Sequence, residues 1–289
     1  MRSSSDSRLE SRSTDRAQTK YQKRDRGDRP NTLYIVGIGP GDIDHLSKMA
    51  VDVLKAAHTV VGYATYIDLI RPLIGEKSVV STPMKKEMDR VEVAINMSLE
   101  GKACAIVSSG DAGIYAMAGL VFEMCKFKKI PIASKKGTEP GGLRIEVIPG
   151  IPAICSGASL LGAPVAHDFA AISLSDLLTP WDVIEKRLDA AAKADFVIVL
   201  YNPKSKKRNW QLEAAQNIVL RWRDKDTPVG IVTCAMREGQ TVRIIPLDQL
   251  NKSAVDMQST VFIGNSTTFT YHDSMITPRG YVNKYAMGR

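Results

Sequence analysis

Long apolar runs are missing from this 289-residue chain. Nowhere do the ~18–20 consecutive apolar residues of a membrane span occur, and no apolar secretory segment follows the basic start. A soluble, cytoplasmic protein with no membrane partner is the expectation. Cysteine is scarce: Cys104, Cys125, Cys155 and Cys234 are far apart and form no C-x-x-C pair. Such spacing predicts reduced thiols packed as small hydrophobes rather than a disulfide framework. His45, His58, His167 and His272 form neither H-E-x-x-H nor a Cys/His cluster, so no metal site is expected. There is no G-x-S-x-G for a hydrolase nucleophile and no Gly-Lys-Ser/Thr of a P-loop. Aromatic residues make up 6% and show no stripe interleaved with cations, which argues against a nucleic-acid partner.

The composition that remains is globular, with 44% hydrophobic and 24% charged residues. The net charge of +8 is unevenly spread. Residues 1–30 hold nine Lys/Arg against five Asp/Glu and almost nothing apolar, which predicts a disordered basic tail. From residue 31 onward, short apolar runs alternate with helical periodicity. Strands are expected at 33–38, 58–62, 78–82, 103–109 and 144–150, and helices at 46–57, 65–74, 87–99, 116–127 and 153–162. That rhythm predicts a parallel α/β sheet. Further strands near 172–176, 195–201, 228–235, 241–247 and 259–265 surround helices at 181–193 and 209–223. Short turns between some of them, such as M-R-E-G-Q, predict a mixed sheet. The expected architecture is two α/β domains, 31–168 and 169–289, with a cleft between them. Thr179-Pro180 predicts a capped start for the helix at 181.

Three strand ends are rich in glycine and proline: G-I-G-P-G-D (37–42), S-S-G-D-A-G-I-Y (108–115) and V-I-P-G-I-P-A (147–153). Ligands of open α/β sheets gather at such ends, where glycines let the backbone come close. The first loop departs from G-x-G-x-x-G at Asp42, so it reads equally as a tight turn with Asp42 or Asp44 capping the next helix. Pro40 stiffens that loop. His167-Asp168, an adjacent His–acid pair where the two domains would meet, reads as a structural histidine or a proton-handling pair. N-P-K-S-K-K-R (202–208) reads as a solvated turn or as a clamp for carboxylates.

Taken together, G-I-G-P-G-D, S-S-G-D-A-G-I-Y-A-M-A, V-I-P-G-I-P-A and I-G-N-S-T-T (263–268) resemble the tetrapyrrole methylase family. Narrower marks point to one branch of it: G-Y-A-T-Y (62–66), H-D-F-A-A-I-S-L-S-D-L-L-T-P-W (167–181), Y-N-P-K-S-K-K-R (201–208) and T-P-R-G-Y (277–281). They resemble the enzymes that methylate C-17 of precorrin-3B, or of cobalt-factor III, with ring contraction in cobalamin biosynthesis. The resemblance covers roughly residues 32–285.

What it implies is methyl transfer from S-adenosylmethionine, leaving S-adenosylhomocysteine, in a cleft between two domains of a homodimer. Carried over residue by residue, Pro40, Gly110, Asp111, Ile114, Pro152, Ala153, Asn202 and Gly239 would line the cofactor site. Here Ala112 replaces the usual Pro, and Pro152-Ala153 replaces a Thr-Ala pair. The substrate's many carboxylates would meet Lys204, Lys206, Lys207, Arg208, Arg237 and Arg279. Tyr63, His167 and Asp168 are candidates for the proton handling that ring contraction demands. Another tetrapyrrole position, a ribosomal RNA ribose methyltransferase of the same fold, or a non-catalytic tetrapyrrole carrier are the alternatives.

Overall fold

The computed structural model describes residues 29–83, 85–134, 142–205 and 207–285. The expected tail lies outside them apart from Arg29 and Pro30; Arg29 donates from Nη1 to Glu146 Oε1 at 3.2 Å.

The first half alternates strand and helix: β1 (Thr32–Gly37), α1 (Lys48–Ala56), β2 (Thr59–Tyr63), α2 (Ala64–Ile74), β3 (Ser78–Thr82), α3 (Glu87–Leu99), β4 (Ala103–Ser108), α4 (Met117–Phe127) and β5 (Arg144–Ile148). The strands form one sheet in the order β3-β2-β4-β1-β5, and every pairing is parallel. All six residues of β1 and of β4 are buried, which is why both read as unbroken apolar runs rather than alternating ones. On one face Leu33, Ile35 and Ile106 pack with α3 and α4. On the other, Tyr34, Val36, Ala105 and Val107 pack with α1 and α2. The chain therefore leaves the neighbouring ends of β1 and β4 toward opposite faces, and a crevice opens between them.

The second half holds α5 (Ala153–Leu161), β6 (Gly162–Ala163), β7 (Phe169–Ser173), α6 (Trp181–Lys193), β8 (Val197–Tyr201), α7 (Gln211–Val219), β9 (Pro228–Thr233), β10 (Thr241–Pro246), β11 (Ser259–Ile263), β12 (Phe269–Tyr271), β13 (Ser274–Ile276) and α8 (Tyr281–Lys284). Its main sheet runs β10-β9-β11-β8-β7. Only β7 and β8 are parallel there, so the sheet is mixed. Helices α6 and α7 cover one face. Helix α5 covers the other, where Ile154, Ala158 and Leu161 meet Val199, Val232 and Phe262.

Several local expectations shift. Asp42 caps a single 3-10 turn (Ile43–His45), accepting from Asp44 N–H at 2.8 Å; α1 is capped by Ser47, whose Oγ accepts from Ala50 N–H at 3.1 Å. Pro180 occupies the cap position of α6 in an extended conformation, so the helix starts at Trp181 without a side-chain cap. Helix α7 ends at Val219, short of the expected 223, and beyond it Arg223 turns inward and donates to Ala192 O (2.6 Å) and Phe196 O (3.2 Å). A small sheet, β12-β13-β6, stands apart from the expected elements.

The first-sheet loops approach more closely than any side chain allows. A Cβ on Gly37 would lie 2.7 Å from Gly110 O and 2.8 Å from Gly150 N, and one on Gly150 would collide with Gly110 O. Gly150→Ala should therefore lower unfolding free energy by about 1–3 kcal/mol, as overpacking does. Gly119→Ala, in open space on α4, should raise it by about 0.5–1 kcal/mol. Urea denaturation of both variants checks the pair, and equal stabilities would contradict the close approach.

Candidate active site

The loops after β1, β4 and β5 are stitched to one another by backbone. Gly39 and Gly110 exchange two hydrogen bonds, at 3.0 and 2.8 Å. The Asp111 carboxylate completes the seam: Oδ1 accepts from Gly113 N–H at 2.8 Å and Oδ2 from Gly150 N–H at 3.1 Å. This seam is one wall of a cleft of about 330 Å³. Tyr63, Thr65 and Tyr66 continue it from the end of β2. Tyr201 and Asn202 at the end of β8, Arg237 after β9, and residues 257–260 leading into β11 form the facing wall. Pro152, Ala153 and Ser156 at the start of α5 lie between.

Two tyrosines tie the halves together. Tyr115, after β4, donates its hydroxyl hydrogen to Ala171 O on β7 at 2.9 Å. The Tyr201 phenol oxygen accepts from Ile154 N–H at 2.9 Å, satisfying an amide that the first turn of α5 leaves unpaired. Their rings are 5.0 Å apart, tilted by 51°. Burial pushes the Tyr201 phenol up to about 12 and raises Tyr115 and Tyr66 as well; beside Tyr66, Arg237 pulls the other way. All three remain protonated in neutral solution.

The structure brings Tyr63, Pro40, Gly110, Asp111, Ile114, Pro152, Ala153, Asn202 and Arg237 to this cleft. It does not bring the other named residues there. His167, Asp168 and Arg279 line a separate hollow of about 330 Å³ with Asp195 and Asn265. That hollow sits at the amino ends of β7 and β8, whereas Tyr201 and Asn202 sit at the carboxyl end, roughly 15–20 Å along the strands. The His167 Nδ1 accepts from Asp168 N–H at 2.7 Å. Lys204 lies in a shallow hollow with Trp210 and Glu213. Gly239 stands in the turn between β9 and β10 at φ +80°, outside the cleft lining. Arg208 faces inward, 7% exposed, and donates to backbone carbonyls rather than toward solvent. Lys206 lies outside the described residues. The cleft also takes in Tyr66, Tyr115 and Tyr201, which sequence alone marked only as members of motifs, and Ser156, Val232, Ala235 and the 257–260 segment, which it did not assign to a site.

The model of the Tetrapyrrole (Corrin/Porphyrin) Methylases matches residues 32–251. The chain belongs to the tetrapyrrole methylase family. It is 46% identical over 257 residues to the cobalt-factor III methyltransferase of Priestia megaterium, covering 89% of this chain and 46% of that protein. It is 44% identical over 249 residues to a probable cobalt-factor III C(17)-methyltransferase of Salmonella typhimurium, covering 86% of this chain and 99% of that one. The chain thus spans about half of the first relative and nearly all of the second. Among solved structures, the methyltransferase CobJ superposes with a TM-score of 0.75 at 31% identity, covering 85% of this chain and 99% of that chain. In this tetrapyrrole methylase no helix among the described residues is long and apolar enough to cross a membrane.

The cleft suits a sulfonium methyl donor. Its charged lining residues, among those described, are Asp111 and Arg237. Both Asp111 oxygens are engaged by amides, so no free carboxylate is offered as a competing nucleophile. Gly110, at φ +67°, leaves open the space beside Pro152, whose Cα would be 3.7 Å from an added Cβ. Aromatic faces and hydroxyls supply the remaining surface for a nucleoside.

The raised Tyr201 value carries a sign. Its contribution to stability is complete below the ordinary phenol value of about 10 and is lost as pH rises through about 12. In Tyr201→Phe the fall in unfolding free energy between those two pH values should be shallower than in the parent chain. Parallel urea titrations across that window measure it; identical slopes would contradict the burial of this phenol.

Proposed function

We propose that this chain transfers a methyl group from S-adenosylmethionine to C-17 of cobalt-factor III or its metal-free counterpart precorrin-3B, with ring contraction, in cobalamin biosynthesis. The supporting observation is that the backbone-stitched wall and Arg237 line one cleft, in a chain 44% identical along nearly the whole length of a relative named for that reaction. When bound, the donor supplies an already activated methyl on sulfur. The chain's own task is then to align, desolvate and hold, and such positioning is worth roughly 7–11 kcal/mol.

Each residue's part follows from its place. The Gly39–Gly110 seam fixes a rigid surface against which a donor is held by backbone groups. Pro40, Ile114, Pro152 and Ala153 exclude water from it. Asn202 bounds the site from the second sheet. Arg237 offers the cleft's cation to substrate carboxylates. Of the residues suited to proton handling, Tyr63 lines the cleft and is assigned that role at its hydroxyl. We take the chain to act as a homodimer in the cytoplasm; its four free cysteines accord with a reducing compartment.

The test incubates the purified chain with methyl-labelled S-adenosylmethionine and, in parallel, precorrin-3B, cobalt-factor III and ribosomal RNA. Mass spectrometry should find one added methyl on a tetrapyrrole. Label only in RNA, or nowhere, would refute the proposal. Arg237→Ala should raise KM for the tetrapyrrole roughly tenfold, the scale of one charged hydrogen bond.

A further inference from the structure

The cation run 204–208 does not act as one surface. Its last member, Arg208, folds back under the start of its own loop, where Ser205 and Arg208 exchange backbone hydrogen bonds at 2.8 and 3.2 Å. From there Nη1 donates to Asn202 O at 2.8 Å and to Leu174 O at 3.0 Å, and Nη2 reaches Met257 Sδ at 3.3 Å. Asn202 and Met257 both line the cleft. Leu174 in turn donates its N–H to Tyr201 O at 2.9 Å. One buried guanidinium thus touches the end of β8, the end of β7 and the segment before β11.

What it holds is strained. Asn202 has φ +50°, in the left-handed region, and it precedes Pro203. A non-glycine residue there is disfavoured, and a following proline biases it further toward extended backbone. Such conformations persist where the surroundings over-determine them. Here two contacts do so: the carbonyl is gripped by Arg208, and the side-chain Nδ2 donates to Ser173 Oγ at 3.0 Å.

We propose that Arg208 is a positioning residue for the donor site, pinning Asn202 in its left-handed conformation and Met257 against the same wall. It acts through Asn202 without meeting the donor, and it rests on the methyl-donor reading above.

Isothermal titration of the full chain with S-adenosylhomocysteine tests it in a four-variant cycle: parent, Arg208→Lys, Asn202→Gly and the double variant. Lysine keeps the charge but ends in a single nitrogen, so it cannot hold the Leu174 and Asn202 carbonyls as Nη1 does and also reach Met257 as Nη2 does. Glycine takes the left-handed backbone without strain, so the grip loses its purpose. Arg208→Lys should weaken binding about tenfold with Asn202 present and less than about twofold with Gly at 202. The same factor in both backgrounds would overturn the proposal, because a merely structural arginine is indifferent to residue 202. Should Arg208→Lys not fold, Arg208→Gln replaces it. Folding restored only by Asn202→Gly supports the proposal, and failure in both backgrounds overturns it. A parent chain that binds no S-adenosylhomocysteine would instead sink the methyl-donor reading.

Discussion

Everything at the cleft depends on three loops meeting at backbone distance. Gly37 and Gly150 come so close to the Gly110 carbonyl that the absence of their side chains is itself the structural element. Asp111 then fastens the seam by accepting two amides. A carboxylate held by backbone N–H groups is a strong, directional tie and leaves neither oxygen free. The parallel strands aim the loops, the glycines let them touch, and the aspartate locks them. Remove the close approach and the first wall has no defined shape.

The facing wall is built on different physics. It leans on side chains reaching across: Tyr115 to β7, Tyr201 to α5, Arg208 to three separate segments. Burial of Arg208 is what makes its contacts firm, since an unpaired polar atom in such surroundings is costly. Helix α5 joins the two systems. It comes directly after the third glycine loop yet packs on the second sheet, although it precedes the sequence-based division at residue 168.

Much of this was legible in the residues. β1 and β4 are buried on both faces, so their apolar runs were unmistakable, and the glycine-rich loops at their carboxyl ends marked one wall. Side-chain direction was not legible. Arg208 looks like its lysine neighbours in sequence, and only the backward fold of the loop turns it inward. The His167-Asp168 pair lies apart from the cleft for a topological reason. It leads into β7 and so lies at the amino end of that strand, while the cleft gathers at the carboxyl ends of the parallel strands. Tyr201 and Asn202 close β8 and reach the cleft. Residues 257–260 reach it by entering β11, which runs antiparallel to β8, so its beginning lies where the end of β8 does. The small sheet escaped because β6 has two residues and β12 and β13 three each, too short for any periodicity.

The seam has an evolutionary corollary. A surface made of main-chain atoms does not change when neighbouring side chains do, so holding the donor and choosing the acceptor are separable tasks. Substitutions at side chains that meet only the acceptor could redirect such a scaffold to a differently decorated macrocycle while the seam kept its grip on the donor, which leaves acceptor preference free to drift.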